Sequence, residues 1–150
     1  MGVSNDFPVA QVPRAAAALG AAGLLPFGVL AAALATGGLV PSATAARALV
    51  AYGAVILSFL GGIQWGLAIA GGAVAGWGRL GAAVVPALLA WPALLLPATA
   101  AYLLLACAFL AVLGADLLLH ARGQAPAWYQ RLRWPLTTVV TMCLLLAALA

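Results

Sequence analysis

Charge is what this sequence has least of. Of its 150 residues two are acidic, Asp6 and Asp116, and six are basic; all six are arginine, because lysine and glutamate are missing altogether. Only 5% of the chain is charged and 67% is hydrophobic, against about a quarter charged in an ordinary soluble domain. Each shortage removes a class of function. Arginines scattered singly or in pairs do not form the clustered basic surface that phosphate backbones require, so nucleic acid is excluded as a partner despite a pI near 9.8. A single histidine, His120, excludes a bis-histidine haem, and one acid inside the apolar part of the chain excludes proteolysis by paired aspartates. The two cysteines, Cys107 and Cys143, both lie within apolar runs and read as small apolar fillers rather than a disulfide or a metal site. No phosphate-binding glycine loop and no defensible Ser-His-Asp set is present. The expectation is a protein without an enzymatic site, cofactor or metal.

Long apolar runs are what is there. A mean hydropathy of +1.21 makes lipid the natural solvent, and five segments approach the ~20 residues that cross a ~30 Å hydrocarbon core. They cover about Arg14–Thr36, Thr44–Ala70, Leu80–Leu96, Ala98–His120 and Trp134–Leu149. Nothing alternates between polar and apolar as barrel strands do. The fold class is therefore all-α: a polytopic membrane bundle of five transmembrane helices, residues 14–150, behind a polar tail at residues 1–13. The first apolar segment is too long for a signal-peptide core and is expected to stay as an anchor. Three prolines, Pro86, Pro92 and Pro97, interrupt residues 80–120, and a turn at Pro97 divides them into two spans of reasonable length. With five spans, Arg14, Arg79, Arg122, Arg131 and Arg133 share one side and Arg47 alone takes the other. The positive-inside rule then predicts the amino terminus inside and the carboxyl terminus outside. Trp77, Trp128, Tyr129 and Trp134 fall on the arginine side as an interfacial aromatic belt, with Arg131 and Arg133 among the headgroup-level charges.

Within that threading one acid stands out. Asp116 lies in the run from Ala98 to His120, and an ionisable group at the centre of a membrane helix costs about 2.5–3.5 kcal/mol on insertion scales. Gln64, Asp116, His120, Thr137, Thr138 and Thr141 come out at similar depth, just below the inner interface. Asp116 and His120, four apart, share a helix face. Three readings of this slab stay open: an interhelical hydrogen-bond cluster, a ligand or proton site with Asp116 as the titrating group, and a pairing of Asp116 with Arg122, Arg131 or Arg133. Separately, Ser58, Gly62 and Gly66 recur every four residues, a ladder that lets helix backbones approach closely in lipid.

The stretches Ala51-Tyr-Gly-Ala-Val-Ile-Leu-Ser-Phe-Leu-Gly-Gly-Ile-Gln-Trp-Gly66 and Asp116 with Pro126-Ala-Trp-Tyr-Gln-Arg-Leu-Arg133-Trp-Pro-Leu-Thr137 resemble a family of small bacterial membrane proteins of unknown function. That family is related to a eukaryotic transmembrane protein 69, and the similarity runs from about Pro13 to Thr141. The resemblance carries no activity with it; a mitochondrial relative implies an energy-transducing inner membrane, here the bacterial one. The residues themselves favour an accessory or assembly subunit that packs against a larger respiratory or photosynthetic membrane complex, with lipids and other membrane subunits as partners. The alternative is a carrier or small-molecule site, for a quinone or a proton-coupled solute, centred on Asp116 and Gln64.

Overall fold

A computed structural model of the chain describes residues 11–37, 41–71 and 76–150. The polar tail read at residues 1–13 lies outside the described residues as far as residue 10, as do residues 38–40 and 72–75 of the two glycine-bearing loops. Five helices follow in order: α1 (Arg14–Thr36), α2 (Ser42–Ala70), α3 (Trp77–Ala93), α4 (Ala98–Ala121) and α5 (Ala127–Leu149). No strand occurs among the described residues. Helices α1, α2, α4 and α5 are each long and apolar enough to cross a membrane. Helix α3, at 17 residues, reaches about 25 Å at 1.5 Å per residue, the short edge of the spanning range.

Proline sets most of the helix starts. Pro13, Pro41, Pro97 and Pro126 stand directly before α1, α2, α4 and α5, with φ between −54 and −62°. A proline's ring holds the preceding residue out of the α region, so no helix can propagate back through it. Its carbonyl still accepts from the new helix: Ala101 N donates to Pro97 O at 2.9 Å, and Ala45 N to Pro41 O at 3.0 Å. Glycine ends two of them. Gly37 and Gly123 adopt φ of 63° and 67°, the left-handed conformation that glycine reaches without a Cβ penalty. After α4 the Gly123 and Gln124 amides fold back onto the carbonyls of His120 and Leu119.

Two helices, α5 and α3, differ in extent from the sequence reading. Helix α5 begins at Ala127 rather than Trp134, because Pro126 launches the helix two turns before hydropathy rises; the polar stretch expected as a loop to Arg133 is helical. Helix α3 runs Trp77–Ala93 rather than residues 80–96, since a turn over residues 94–96 leads into Pro97.

Neighbours in sequence are neighbours in space: α1 packs on α2, α2 on α3, α3 on α4 and α4 on α5, while α5 also meets α1 and α2 meets α4 across the middle. Leu49, Leu57, Leu105, Phe109 and Leu144 fill the centre. Phe27 of α1 reaches in to lie edge-on against Tyr52 and Phe109, at ring separations of 5.0 and 6.1 Å. Tyr52 donates its hydroxyl to Gly23 O at 3.0 Å.

The close helix approach does not use the small-residue ladder read from the sequence. Gly62 and Gly66 are exposed, with nothing within 4 Å of where a Cβ would stand, and Ser58 is half-buried. Instead Gly61, one position away, faces α3, where a Cβ would come 2.5 Å from Ala83 O and 3.4 Å from the Pro86 ring. The register differs because Ser58, Gly62 and Gly66 lie on the side of α2 turned away from α3. Gly61→Ala should accordingly lose about 1–3 kcal/mol of stability through forced overpacking. Gly62→Ala should leave stability unchanged or raise it slightly, as alanine's better helix propensity predicts. Thermal unfolding of both variants in detergent measures the difference, and equal losses would mean that α2 and α3 do not meet at Gly61.

Candidate functional site

Helix α5 carries a polar residue every fourth position, Tyr129, Arg133, Thr137 and Thr141, and all four are buried. Spacing by four places them in one row along a helix face. Because Pro126 starts the helix early, the row begins at the helix end that lies beside the last turns of α4. Asp116 meets it there, fully buried at 0% exposure. Its Oδ2 accepts from Arg133 Nε at 3.0 Å and, more loosely, from the Tyr129 hydroxyl at 3.4 Å. Its Oδ1 accepts from Gln64 Nε2 of α2 at 3.0 Å. Three donors and no acceptor converge on one carboxyl group, a set that fits the acceptor-only carboxylate. The ion pair is nearly dry, with side-chain exposures of 6% for Arg133 and 0% for Asp116.

The structure therefore brings Asp116 and Gln64 together, makes Arg133, one of the three arginines named as its possible partner, the counter-charge of Asp116, and adds Tyr129. Arg133 and Tyr129 were expected at headgroup level but lie in the bundle, since the early start of α5 carries them in. Trp128 is half-buried and stacks edge-on near Tyr129, with ring centroids 6.2 Å apart, while Trp77 and Arg131 are exposed. His120 is not part of the cluster. It is exposed, and its Nδ1 lies 3.3 Å from Ala125 O in the turn after α4. Thr137 and Thr141 share the buried row but do not bond to Asp116; neither hydroxyl has a hydrogen-bond partner. Thr138 points outward and donates to Trp134 O. The four-residue row on α5 was present in the sequence, hidden because residues 127–133 looked like loop.

Beside the ion pair lies a cavity of about 640 Å³ between α1, α2 and α5, floored by Phe109 of α4. Its walls are almost entirely apolar, from Leu19, Gly20, Gly23 and Phe27 on α1 to Ile56, Ile63 and Leu67 on α2. Tyr129, Arg133 and Thr137 form its polar patch. Nothing in the sequence pointed to α1 as a wall, because its small residues look like the rest of an alanine-rich chain. On the far side of Gln64 a second pocket, about 410 Å³, opens between α3 and α4 and is lined by Arg79 and Arg122. Among the described residues no three His, Cys, Asp or Glu side chains converge in a way that could hold a metal ion. What the arrangement offers chemically is a fixed carboxylate–guanidinium pair in the wall of an apolar chamber, with one guanidinium nitrogen unspent.

The chain belongs to the family described as "Protein of unknown function (DUF3429)", whose model matches residues 12–149. It is 41% identical over 140 residues to a protein named "Transmembrane protein 69" from Xenopus tropicalis, an alignment covering 89% of this chain and 53% of the relative. The chain thus spans about half the length of the curated relative it matches. No solved structure matches. Helices of this length and composition, in a family with a transmembrane relative, make the chain an integral membrane protein.

The buried pair predicts a specific stability pattern. From the sequence alone Asp116→Asn looks conservative, since it keeps shape and an acceptor. With Arg133 buried alongside, it strands a guanidinium charge, and removal of one partner from a buried pair typically costs about 3–5 kcal/mol. Asp116→Leu should cost at least as much. Asp116→Asn combined with Arg133→Gln should recover part of the loss, because no uncompensated charge remains. A double-mutant cycle of unfolding in detergent checks this, and losses that merely add would contradict the direct contact.

Proposed function

We propose that this chain is a non-catalytic, five-span membrane protein that holds a small apolar molecule in the cavity between α1, α2 and α5, beside Asp116 and Gln64. The observation that carries the reading is the chamber itself: about 640 Å³, apolar on nearly every wall, with Arg133, Thr137 and Tyr129 gathered at one patch. Small-molecule sites commonly combine apolar walls with a few placed polar groups in this way. Binding fits better than alternating-access transport, because five helices without an inverted repeat lack the paired halves that usually rock about a midplane site.

The threading proposed with it has the amino terminus inside and the carboxyl terminus outside a bacterial inner membrane, following a division of arginines that is still four to one once the buried, Asp116-paired Arg133 is left out. Support for α3 as a span comes from its placement. Arg79 near its start donates to Leu67 O near the end of α2, and its far end joins α4 directly, so α3 covers nearly the depth its neighbours do.

One observation favours a second reading, an accessory or assembly subunit of a larger membrane complex. Gly62 and Gly66 leave an open strip on the outer face of α2 where another helix's backbone could lie close.

Protein purified in mild detergent should release a lipophilic compound on solvent extraction. Gly23→Leu, placed in a wall with room for a Cβ (Tyr52 Oη is 3.9 Å away), should fill the chamber and lose that compound without unfolding. Retention of the compound by the leucine variant would refute the cavity as its site. A stoichiometric protein partner lost on Gly62→Ile would instead favour the second reading. Reporter fusions at Met1 and Ala150 should give opposite readouts, and matching readouts would overturn the five-span count.

A further inference from the structure

The donors at the cavity's polar patch are unspent. Arg133 uses Nε on Asp116, but its Nη2, buried, has no hydrogen-bond partner. A guanidinium normally grips a carboxylate with two parallel N–H groups. Here the second carboxylate oxygen accepts from Gln64 and not from Arg133, so one prong is left over. Thr137, one turn on and 1% exposed, also has a hydroxyl without a partner. Thr141, a turn further along the same row, shares this state, as do Tyr102, Gln130 and the Nε of Arg79, but of all these only Arg133 and Thr137 line the cavity. Thr36, Ser58 and Thr138 all donate to the carbonyl four residues back, at 2.8 to 2.9 Å, the default for a hydroxyl inside a membrane helix. Both Arg133 and Thr137 line the cavity, and buried donors left without acceptors are rare enough in proteins to require an explanation.

Charge restricts what can supply the acceptor. Asp116 already neutralises Arg133, so the patch carries donors but no net charge. An anionic headgroup would sit within the field of the Asp116 carboxylate, whereas a neutral oxygen gains the hydrogen bonds without that repulsion. A carbonyl oxygen has two lone pairs and can take two donors at once, and Arg133 and Thr137, four residues apart, share one buried face of α5. We infer that the occupant of this cavity carries a neutral carbonyl on an apolar body, its oxygen accepting from Arg133 Nη2 and Thr137 Oγ1. This rests on the ligand-binding reading above and adds the ligand's chemistry. Two sources share that chemistry: a quinone ring with an apolar tail, and the ester carbonyl of a lipid.

The test uses the full chain in detergent and isothermal titration with four probes: a decyl-substituted benzoquinone, decylbenzene, a dioctanoyl glycerol and its dioctyl ether counterpart. One carbonyl probe should bind about tenfold more tightly than its carbonyl-free counterpart, the scale of one or two net hydrogen bonds. Preference for the quinone assigns the first source, and preference for the ester assigns the second. Thr137→Val has nearly the parent's shape and breaks no existing bond, so it should fold normally, erase most of the tenfold preference and leave decylbenzene unaffected. Thr137→Ser should restore the preference. If parent and valine variant bind carbonyl and carbonyl-free probes alike while Gly23→Leu blocks them all, the carbonyl inference is overturned and the cavity reading stands. If Gly23→Leu binds every probe as the parent does, both fall.

Discussion

The contact between Asp116 and Arg133 decides how this bundle goes together. In water, apolar faces drive helices into one another; in lipid, the tails outside are as apolar as the leucines inside, and that drive is gone. Nearly every residue on these helices is equally content facing lipid or facing a neighbour. Asp116 is not, and neither are Arg133 and Gln64. A buried charge in a medium of low dielectric must find its counter-charge, so the rotation and depth of α4, α5 and α2 are fixed together at one place. The early start that Pro126 gives α5 serves the same demand, since Arg133 then lies within the helix at the level of Asp116.

Helix α1 stands apart from that constraint. It contributes no charged or side-chain polar partner to the cluster and is tied to the rest by Phe27, by the Tyr52 hydroxyl on Gly23 O, and by apolar contact with α2 and α5. Near its start, Gly20 lets α1 come close to Leu136 of α5, while Gly23 has room beside it, and the chamber opens there. In a water-soluble core such a void would forfeit dispersion contacts with nothing to replace them. Within a bilayer, acyl chains or another apolar molecule of suitable shape can supply those contacts. The same bundle therefore combines a rigidly pinned half around the ion pair with a half whose packing leaves room.

Much of this fold could be read from sequence because hydropathy and proline act locally. The five helices, the turn before Pro97 and the shared depth of Gln64 and Asp116 all follow from run lengths and arginine positions. The site was less accessible. Hydropathy assigned Tyr129 and Arg133 to a loop, although their spacing with Thr137 and Thr141 already made a helical row. Gly61 and Gly62 are adjacent and identical, and only the rotation of α2, set by the distant contact of Gln64 with Asp116, determines which one meets α3. The cavity was invisible because it is a property of three helices at once and leaves no mark on any single one.

That pinned half also explains why the spare donors sit where they do. Gln64 and Arg133 divide the Asp116 carboxylate between them, one oxygen each, which ties α2 and α5 to α4 through a single group. A fully forked Arg133–Asp116 pair would spend both donors of that guanidinium edge on one carboxylate, whereas here only Nε is spent on it and Nη2 has no partner. The divided arrangement holds three helices and leaves Nη2 unspent on a residue that, like Thr137, lines the chamber. An acceptor placed there would join the same network, contact α5 through hydrogen bonds and α1 through apolar surface, and so link the loosely held helix to the fixed one. By mass action, any such occupant that binds the folded bundle alone stabilises it by RT ln(1 + L/Kd), where L is its free concentration. The device that fixes the fold and the patch that faces the cavity are thus two sides of one guanidinium.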